Sequence, residues 1–164
     1  MDESASDRFR QSPLLSRARA KLGQMIITDA RLDGVKTAVI IDTGAQNSVG
    51  NKALLRKLRS RSDHTFSSTD VHGTTMKGRL SYAKRLQIGP IQLSQIPIGF
   101  ADSPALDALG YADRPAVILG MGNLRLFDRV AIDFSTPKVM FDLPADVMRR
   151  GPFNFGKRAS RIRS

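Results

Sequence analysis

The most informative part of the sequence is the stretch Ala38-Val39-Ile40-Ile41-Asp42-Thr43-Gly44-Ala45. A short apolar run, typical of a buried strand, ends here on a carboxylate, a hydroxyl and a glycine. A carboxylate at the edge of an apolar core has to be solvated by neighbouring donors, so it is a costly feature to build. We therefore expect Asp42 to take part in chemistry, although Asp-Thr-Gly by itself also suits an ordinary turn.

Length and composition favour one folded domain. The chain has 164 residues, of which 41% are hydrophobic, and a chain of this size can bury about two-thirds of its unfolded surface. No apolar run approaches the ~20 residues that span a bilayer, so no transmembrane segment is predicted. The first residues are polar and acidic and lack the pattern of a signal peptide, and the compartment stays open.

The formal net charge of +11 is concentrated at the two ends of the chain. Residues 144–164 hold six Lys or Arg residues against one acid, and residues 1–23 hold five against three. A basic tail can contact nucleic acid or an anionic membrane without specificity, but a solvated tail is the simpler interpretation. The chain has no cysteine and two histidines, which argues against a zinc site. We predict no metal and no cofactor.

The hydrophobic pattern divides the chain into three parts. Residues 1–23 carry little apolar periodicity and are interpreted as a flexible lead-in, with a helical piece around Leu14–Leu22. Residues 24–143 form the predicted domain, and residues 144–164 form the basic tail.

Within the predicted domain, most segments have the short, β-branched character of strands. Asp33-Gly34 separates two such runs, which is a strong hairpin signal. Short helices are predicted after Asn51, after Ser103 and within residues 123–128. The polar stretch 63–78 is interpreted as a long exposed hairpin. Strands are predicted at residues 25–27, 35–41, 80–88, 91–100, 115–119, 130–134 and 138–143. The fold class is therefore a mostly β single domain.

The chain resembles the retropepsin-like aspartic proteases, single-lobed relatives of pepsin that occur in retroviruses and in bacteria. The resemblance depends on the apolar strand leading into Asp42-Thr43-Gly44-Ala45, on Ile118-Leu119-Gly120 before a short helix, and on the ending Arg129–Phe134 followed by Val139-Met140-Phe141. It extends over about residues 24–143. The resemblance implies a closed, β-barrel-like single lobe with short helices.

The resemblance also implies an aspartic endopeptidase that acts on an extended peptide or protein substrate. Two catalytic aspartates share one proton and activate a water, because two carboxylates ~3 Å apart repel by about 5 kcal/mol at a dielectric near 20. This chain has one such motif, so a second Asp42 has to come from a homodimer partner or from a second lobe of a longer parent. The rival Asp133 lacks the following glycine and is predicted to be structural.

Further site residues are implied by their positions in the family pattern. Thr43 is expected to lock the two catalytic loops together, and Ile118 and Gly120 to support them. Gly44 and Ala45 are expected to line the cleft and to hydrogen-bond the substrate backbone. The implied flap, a hairpin that closes over the peptide, supplies Val71, His72, Gly73, Thr74 and Met76, with His72 interpreted as a surface residue.

The sequence departs from the retroviral pattern in one respect that affects the dimer. An acidic residue and an arginine that pair in retroviral members are replaced here by Gln46-Asn47-Ser48 and Met121-Gly122-Asn123. Two alternative functions stay open at this point. The first is a catalytically silent module for dimerisation or peptide binding. The second, nucleic-acid binding, is disfavoured because the aromatic content is 6% without tryptophan, which leaves few stacking platforms.

Overall fold

The structure is a computed structural model that describes residues 14–58, 64–69, 73 and 75–144. Most of the described residues lie in strands, as predicted. The strands are β1 (Leu14–Arg17), β2 (Arg19–Lys21), β3 (Gln24–Ile27), β4 (Ala30–Leu32), β5 (Val35–Lys36), β6 (Ala38–Ile41), β7 (Val49–Gly50), β8 (His64–Thr69), β9 (Thr75–Ile88), β10 (Ile91–Phe100), β11 (Ala116–Leu119), β12 (Arg129–Asp133) and β13 (Lys138–Asp142). The helices are α1 (Lys52–Lys57), α2 (Pro104–Ala108) and α3 (Met121–Leu124).

The larger of the two sheets has the strand order β2-β3-β6-β11-β7-β10-β9-β4-β5, with β8 pairing on β9. The mostly β fold with short helices is thus confirmed. The prediction of a closed barrel is wrong in one detail, because the strands at the two ends of this order, β2 and β5, do not pair with each other. β5 is only two residues long and pairs with β4 alone, so the sheet stays open.

A second sheet, β1-β13-β12, joins the first described residues to the last strands of the chain. The helical piece predicted around Leu14–Leu22 is therefore wrong, because residues 14–21 form β1 and β2. β1 pairs with β13 and β2 pairs with β3, so long-range pairing overrides the weak local preference of this segment. Residues 1–13 and 145–164 lie outside the described part of the chain.

Turns and caps follow the predictions closely. The Asp33-Gly34 turn joins β4 to β5, and both residues have positive φ, 45° and 86°, as a tight type I′ turn requires. The predicted hairpin over residues 63–78 is confirmed as the antiparallel pair β8 and β9. Asn51 caps α1 and Ser103 caps α2, each accepting a hydrogen bond from the backbone three residues on.

Alternation along β6 separates two apolar clusters. Val39 and Ile41 face the main core between the two sheets. Ala38 and Ile40 face a smaller cluster that α2 covers. Since successive side chains of a strand point to opposite faces, extending the alternation by one residue beyond β6 would assign Asp42 to the α2 side. No helix among the described residues is both long and apolar enough to cross a bilayer.

Candidate active site

The candidate site lies at the carboxyl ends of two adjacent parallel strands, β6 and β11. β6 and β11 are paired with Ile41 opposite Leu119, and the backbone N–H of Asp42 donates to the Leu119 carbonyl at 3.2 Å. Because the strands are parallel, their carboxyl ends lie at the same edge of the sheet. The segment that begins with Asp42 and the segment that begins with Gly120 therefore leave the sheet side by side.

The turn after Asp42 orients its carboxylate. Gly44 N–H donates to Asp42 Oδ1 at 2.9 Å, and Ala45 N–H donates to the Asp42 carbonyl at 3.3 Å. A Cβ at Gly44 would lie 3.3 Å from Asp42 Oδ1, so a side chain there would crowd the carboxylate. Among the described residues, Asp42 Oδ2 has no hydrogen-bond donor, which makes it the oxygen available to a water or to a second carboxylate.

Gly120 permits a close backbone contact that supports this turn. A Cβ at Gly120 would lie 2.5 Å from the Asn47 carbonyl oxygen and 2.8 Å from that of Ala45, distances that no real side chain tolerates. The next residues bind the same segment, since Met121 N–H donates to the Ala45 carbonyl at 2.7 Å. The predicted position of Gly120 beneath the loop thus has a steric reason.

Neutral hydrogen bonds join the two stretches at which the retroviral ion pair was missing from the sequence. The buried Ser48 hydroxyl accepts from Gly120 N–H at 3.0 Å and from the Asn123 side-chain amide at 2.8 Å. Gly122 N–H donates to the Gln46 carbonyl at 2.8 Å. The contribution of Ser48 and Asn123 was not predicted. The sequence did contain a signal for this contact, because these two stretches replace an acid and an arginine that pair with each other in retroviral members.

Ala45 and Ile118 meet at the smaller apolar cluster. Ile118 belongs to its buried core, and Ala45 packs against it while staying half-buried. The backbone N–H and C=O of Ala45 are both used within the chain, and Gly44 N–H is used by Asp42. A substrate hydrogen bond at this turn would therefore involve the Gly44 carbonyl rather than either N–H group. Thr43, the remaining residue of the turn, is exposed.

The residues of the predicted flap are described only in part. Gly73 is exposed with a φ of 82°, and the backbone of Met76 pairs with Ser68 across the hairpin. Val71, His72 and Thr74 lie outside the described residues. The hairpin itself is present at the predicted place, and its role over a substrate stays a prediction.

Asp133 is committed to the turn between β12 and β13. Its carboxylate accepts hydrogen bonds from the hydroxyl and N–H groups of Ser135 and Thr136. These hydrogen bonds strongly lower the pKa of Asp133. The Ser135 hydroxyl contributes most, and the Thr136 hydroxyl contributes the next largest part. An acid held in this way stays ionised and stabilises a turn, in agreement with the structural role predicted for it.

Asn51 has a wider role than the helix cap predicted for it. Its Oδ1 accepts from Leu54 N–H at 2.9 Å and from Ala116 N–H at 3.3 Å. Its Nδ2 donates to the carbonyls of Tyr111 and Arg114 at 2.6 and 2.7 Å. One buried amide thus ties α1 to the start of β11 and to the loop before it. Sequence spacing cannot show contacts across 60 residues.

Metal-binding side chains are not grouped in the described ranges. Within residues 14–58, 64–69, 73 and 75–144, no set of three or more histidine, aspartate or glutamate side chains is arranged to hold a metal ion.

Comparison with known proteins agrees with this geometry. A family model described as "Aspartyl protease" matches residues 28–122. A crystal structure of a retropepsin-like aspartic protease from Rickettsia conorii matches with a TM-score of 0.54 and 20% identity, over 79% of this chain and 88% of that chain. No curated protein matches the sequence. Because the family model covers more than half of the residues, this chain belongs to the aspartyl proteases, and its fold is retropepsin-like.

Proposed function

We propose that this protein is an aspartic endopeptidase that hydrolyses peptide bonds with a water held between two Asp42 carboxylates, one from each of two copies of the chain. Family and fold support a peptidase. The observation that carries the assignment of Asp42 is its placement at the end of a buried strand, with Oδ1 held by Gly44 N–H and Oδ2 available.

The chemistry follows from the proximity of two like charges. Two carboxylates about 3 Å apart repel by about 5 kcal/mol at a dielectric near 20, so the pair holds one proton between them. The ionised carboxylate takes a proton from the water, whose oxygen attacks the peptide carbonyl carbon. The protonated carboxyl gives its proton to the carbonyl oxygen, and proton transfer to the amide nitrogen then releases the two products.

A homodimer is the simplest source of the second carboxylate. The sheet β1-β13-β12 supports this because β1 and β12 are its edge strands among those described, and an edge strand presents backbone groups that a second chain can pair with. The exposed Thr43 is proposed to hydrogen-bond across the twofold axis. A second lobe of a longer parent protein would serve the same purpose.

The substrate is proposed to bind as an extended peptide. Such a peptide would pair with backbone groups of the cleft, as in strand addition, and the Gly44 carbonyl is the acceptor that the turn offers. The β8–β9 hairpin around Gly73 is proposed to close over it and exclude water. Ile118 and Gly120 hold the floor of the site, and Ala45 contributes an apolar wall.

The test is cleavage of a peptide library between about pH 4 and 7 by wild type and by the Asp42→Asn variant. Asparagine keeps an Oδ1 acceptor for Gly44 N–H, so the fold is expected to survive while cleavage is lost. Asp29→Asn is the matched control, because it removes an exposed carboxylate outside the site. Equal cleavage by the Asp42→Asn variant would overturn the assignment, and a silent wild type would favour a binding module.

A further inference from the structure

Two cations of β2 lie on the face of the sheet to which the alternation of β6, extended by one residue, assigns Asp42. Residues directly opposite each other in paired strands share a face. Ile26 lies opposite Ile40, and Arg19 lies opposite Ile26. Since Ile40 is on the α2 side of the sheet, Arg19 is on the α2 side as well.

The next row along the same face begins at Lys21. Lys21 lies opposite Gln24 on β3, and continuing the register of β3 and β6 by one residue brings Gln24 opposite Asp42. Adjacent strands are ~4.8 Å apart, so the backbone of Lys21 lies about 10 Å from that of Asp42. By this register, Lys21 and Asp42 lie at the two ends of one row of residues that runs from β2 across β3 to the end of β6.

A third cation joins the first two from the loop after α2. Lys21 Nζ donates to the Leu109 carbonyl, and Arg114 Nη2 donates to the Gly110 carbonyl, each at 2.9 Å. Both nitrogens lie within 4 Å of the point that a Gly110 Cβ would occupy, at 3.4 and 3.8 Å. An ammonium and a guanidinium are therefore held around one exposed glycine.

Tyr111 fixes the two arginines. Arg19 donates to the Tyr111 hydroxyl at 2.7 Å, and the Arg114 guanidinium lies 4.6 Å from the centre of the Tyr111 ring. Tyr111 is buried, and Asn51 holds its carbonyl. We call Arg19, Lys21 and Arg114 the cation trio. Its members are pre-organised, because each has a fixed partner on a loop that is itself anchored.

Within the described part of the chain, no member of the cation trio forms an ion pair with a carboxylate within 4 Å. The ion pairs found there are Lys52 with Asp102 and Arg129 with Asp142, and neither includes a member of the trio. One hydrogen bond from Lys21 satisfies the carbonyl at the C-cap of α2, and one from Arg114 satisfies the carbonyl that follows it. These two bonds leave the further N–H donors of both side chains unassigned, since an ammonium has three and a guanidinium five, and they leave three like charges together.

We propose that the cation trio forms a subsite beside the cleft that selects an acidic side chain of the peptide substrate. The proposal rests on the proposed function, which places an extended peptide across Asp42. An extended chain advances ~3.3 Å per residue, so a distance of about 10 Å corresponds to a side chain about three residues from the scissile bond. A carboxylate at that position would meet Lys21 and Arg114, and apolar or basic side chains would be disfavoured there.

The test is affinity selection, which does not require catalysis. Immobilised full-length Asp42→Asn protein is exposed to a random octapeptide library at 0.15 M salt, and the retained peptides are sequenced. We expect enrichment of Asp and Glu at one position, falling by up to about fivefold in the second-site variants Lys21→Met and Arg114→Met. Lys21→Arg, which keeps the charge, should restore most of the enrichment, and thermal unfolding of each variant shows that it is folded.

Lys57→Met is the matched control, because Lys57 is an exposed cation in the last turn of α1 and is not a member of the cation trio. It should leave the enrichment unchanged. Equal loss in Lys57→Met, or enrichment that survives Lys21→Met and Arg114→Met, would show that general positive charge retains the acidic peptides and would overturn the proposal. Absence of acidic enrichment on the parent Asp42→Asn protein would also overturn it. None of these binding results depends on whether the wild type cleaves peptides.

Discussion

Ser48 and Asn123 share a buried hydrogen bond of 2.8 Å that joins the segment carrying Asp42 to the segment following β11. The same Ser48 hydroxyl accepts from Gly120 N–H. One neutral side chain thus fixes the position of the candidate catalytic turn relative to its support. Since a buried donor without an acceptor costs about 1–3 kcal/mol, this contact is expected to matter for stability and for the geometry of the site.

Ser48→Ala should lower the free energy of unfolding by about 1–3 kcal/mol, because it leaves the buried Gly120 N–H without its acceptor and leaves the Asn123 amide with the Pro97 carbonyl at 3.3 Å as its other acceptor. Urea unfolding measures the change. The double-mutant cycle with Asn123→Ala should give a coupling energy of about 0.5 kcal/mol or more. Fully additive effects of the two substitutions would contradict the contact.

Gly120→Ala should destabilise the protein more than Gly122→Ala does. The added Cβ would lie 2.5 Å from a backbone oxygen at Gly120 but 3.1 Å at Gly122, and both neighbours are backbone atoms that cannot rotate away. We expect a loss of about 1–3 kcal/mol at Gly120, with a matching loss of peptide cleavage. Equal unfolding midpoints for the two variants would show that the turn is not tightly packed against Gly120.

Asn51→Ala should cost more than Ser103→Ala, although both residues cap a helix with a side-chain oxygen. Loss of a cap alone costs about 1 kcal/mol. Asn51 also satisfies the Tyr111 and Arg114 carbonyls, so we expect a total of about 3 kcal/mol. Chemical denaturation of both variants tests this difference, and similar values would reduce Asn51 to a simple cap.

Asp133→Asn should reduce stability in a way that depends on pH. The hydroxyl and N–H groups of Ser135 and Thr136 lower the pKa of Asp133 in the folded protein. The ionised form therefore stabilises the fold above the unfolded pKa, near 3.8, and this contribution is lost as the pH falls. The difference between wild type and variant, measured by thermal melts from neutral to acidic pH, should shrink on acidification. A constant difference would contradict the turn contacts.

Local signals predicted much of the fold. The apolar run into Asp42 predicted β6, the Asp33-Gly34 pair predicted a tight turn, and Asn51 and Ser103 predicted the starts of two helices. Each of these depends on a few neighbouring residues and on backbone preferences that act locally. The same is true of the hairpin of β8 and β9, and Gly73 between these strands has a positive φ.

Features that depend on long-range pairing could not be predicted. Residues 14–21 form strands because β13 and β3 offer edges to them, and no local periodicity indicates that. The open sheet depends on the short β5, and the contacts of Ser48 with Asn123 connect residues 75 positions apart. The cation trio likewise unites Arg19 and Lys21 with Arg114 only after folding. Spacing in the sequence identified the catalytic candidate but not the side chains that hold it.

Cleavage is proposed to need one Asp42 from each of two copies of the chain. Wild type and the Asp42→Asn variant are mixed at constant total protein, allowed to exchange subunits, and assayed for peptide cleavage. If only the wild-type pair is active, activity falls as the square of the wild-type fraction, to about one quarter in an equal mixture. A linear fall, to about one half in the equal mixture, would mean that each chain works alone and would contradict the account.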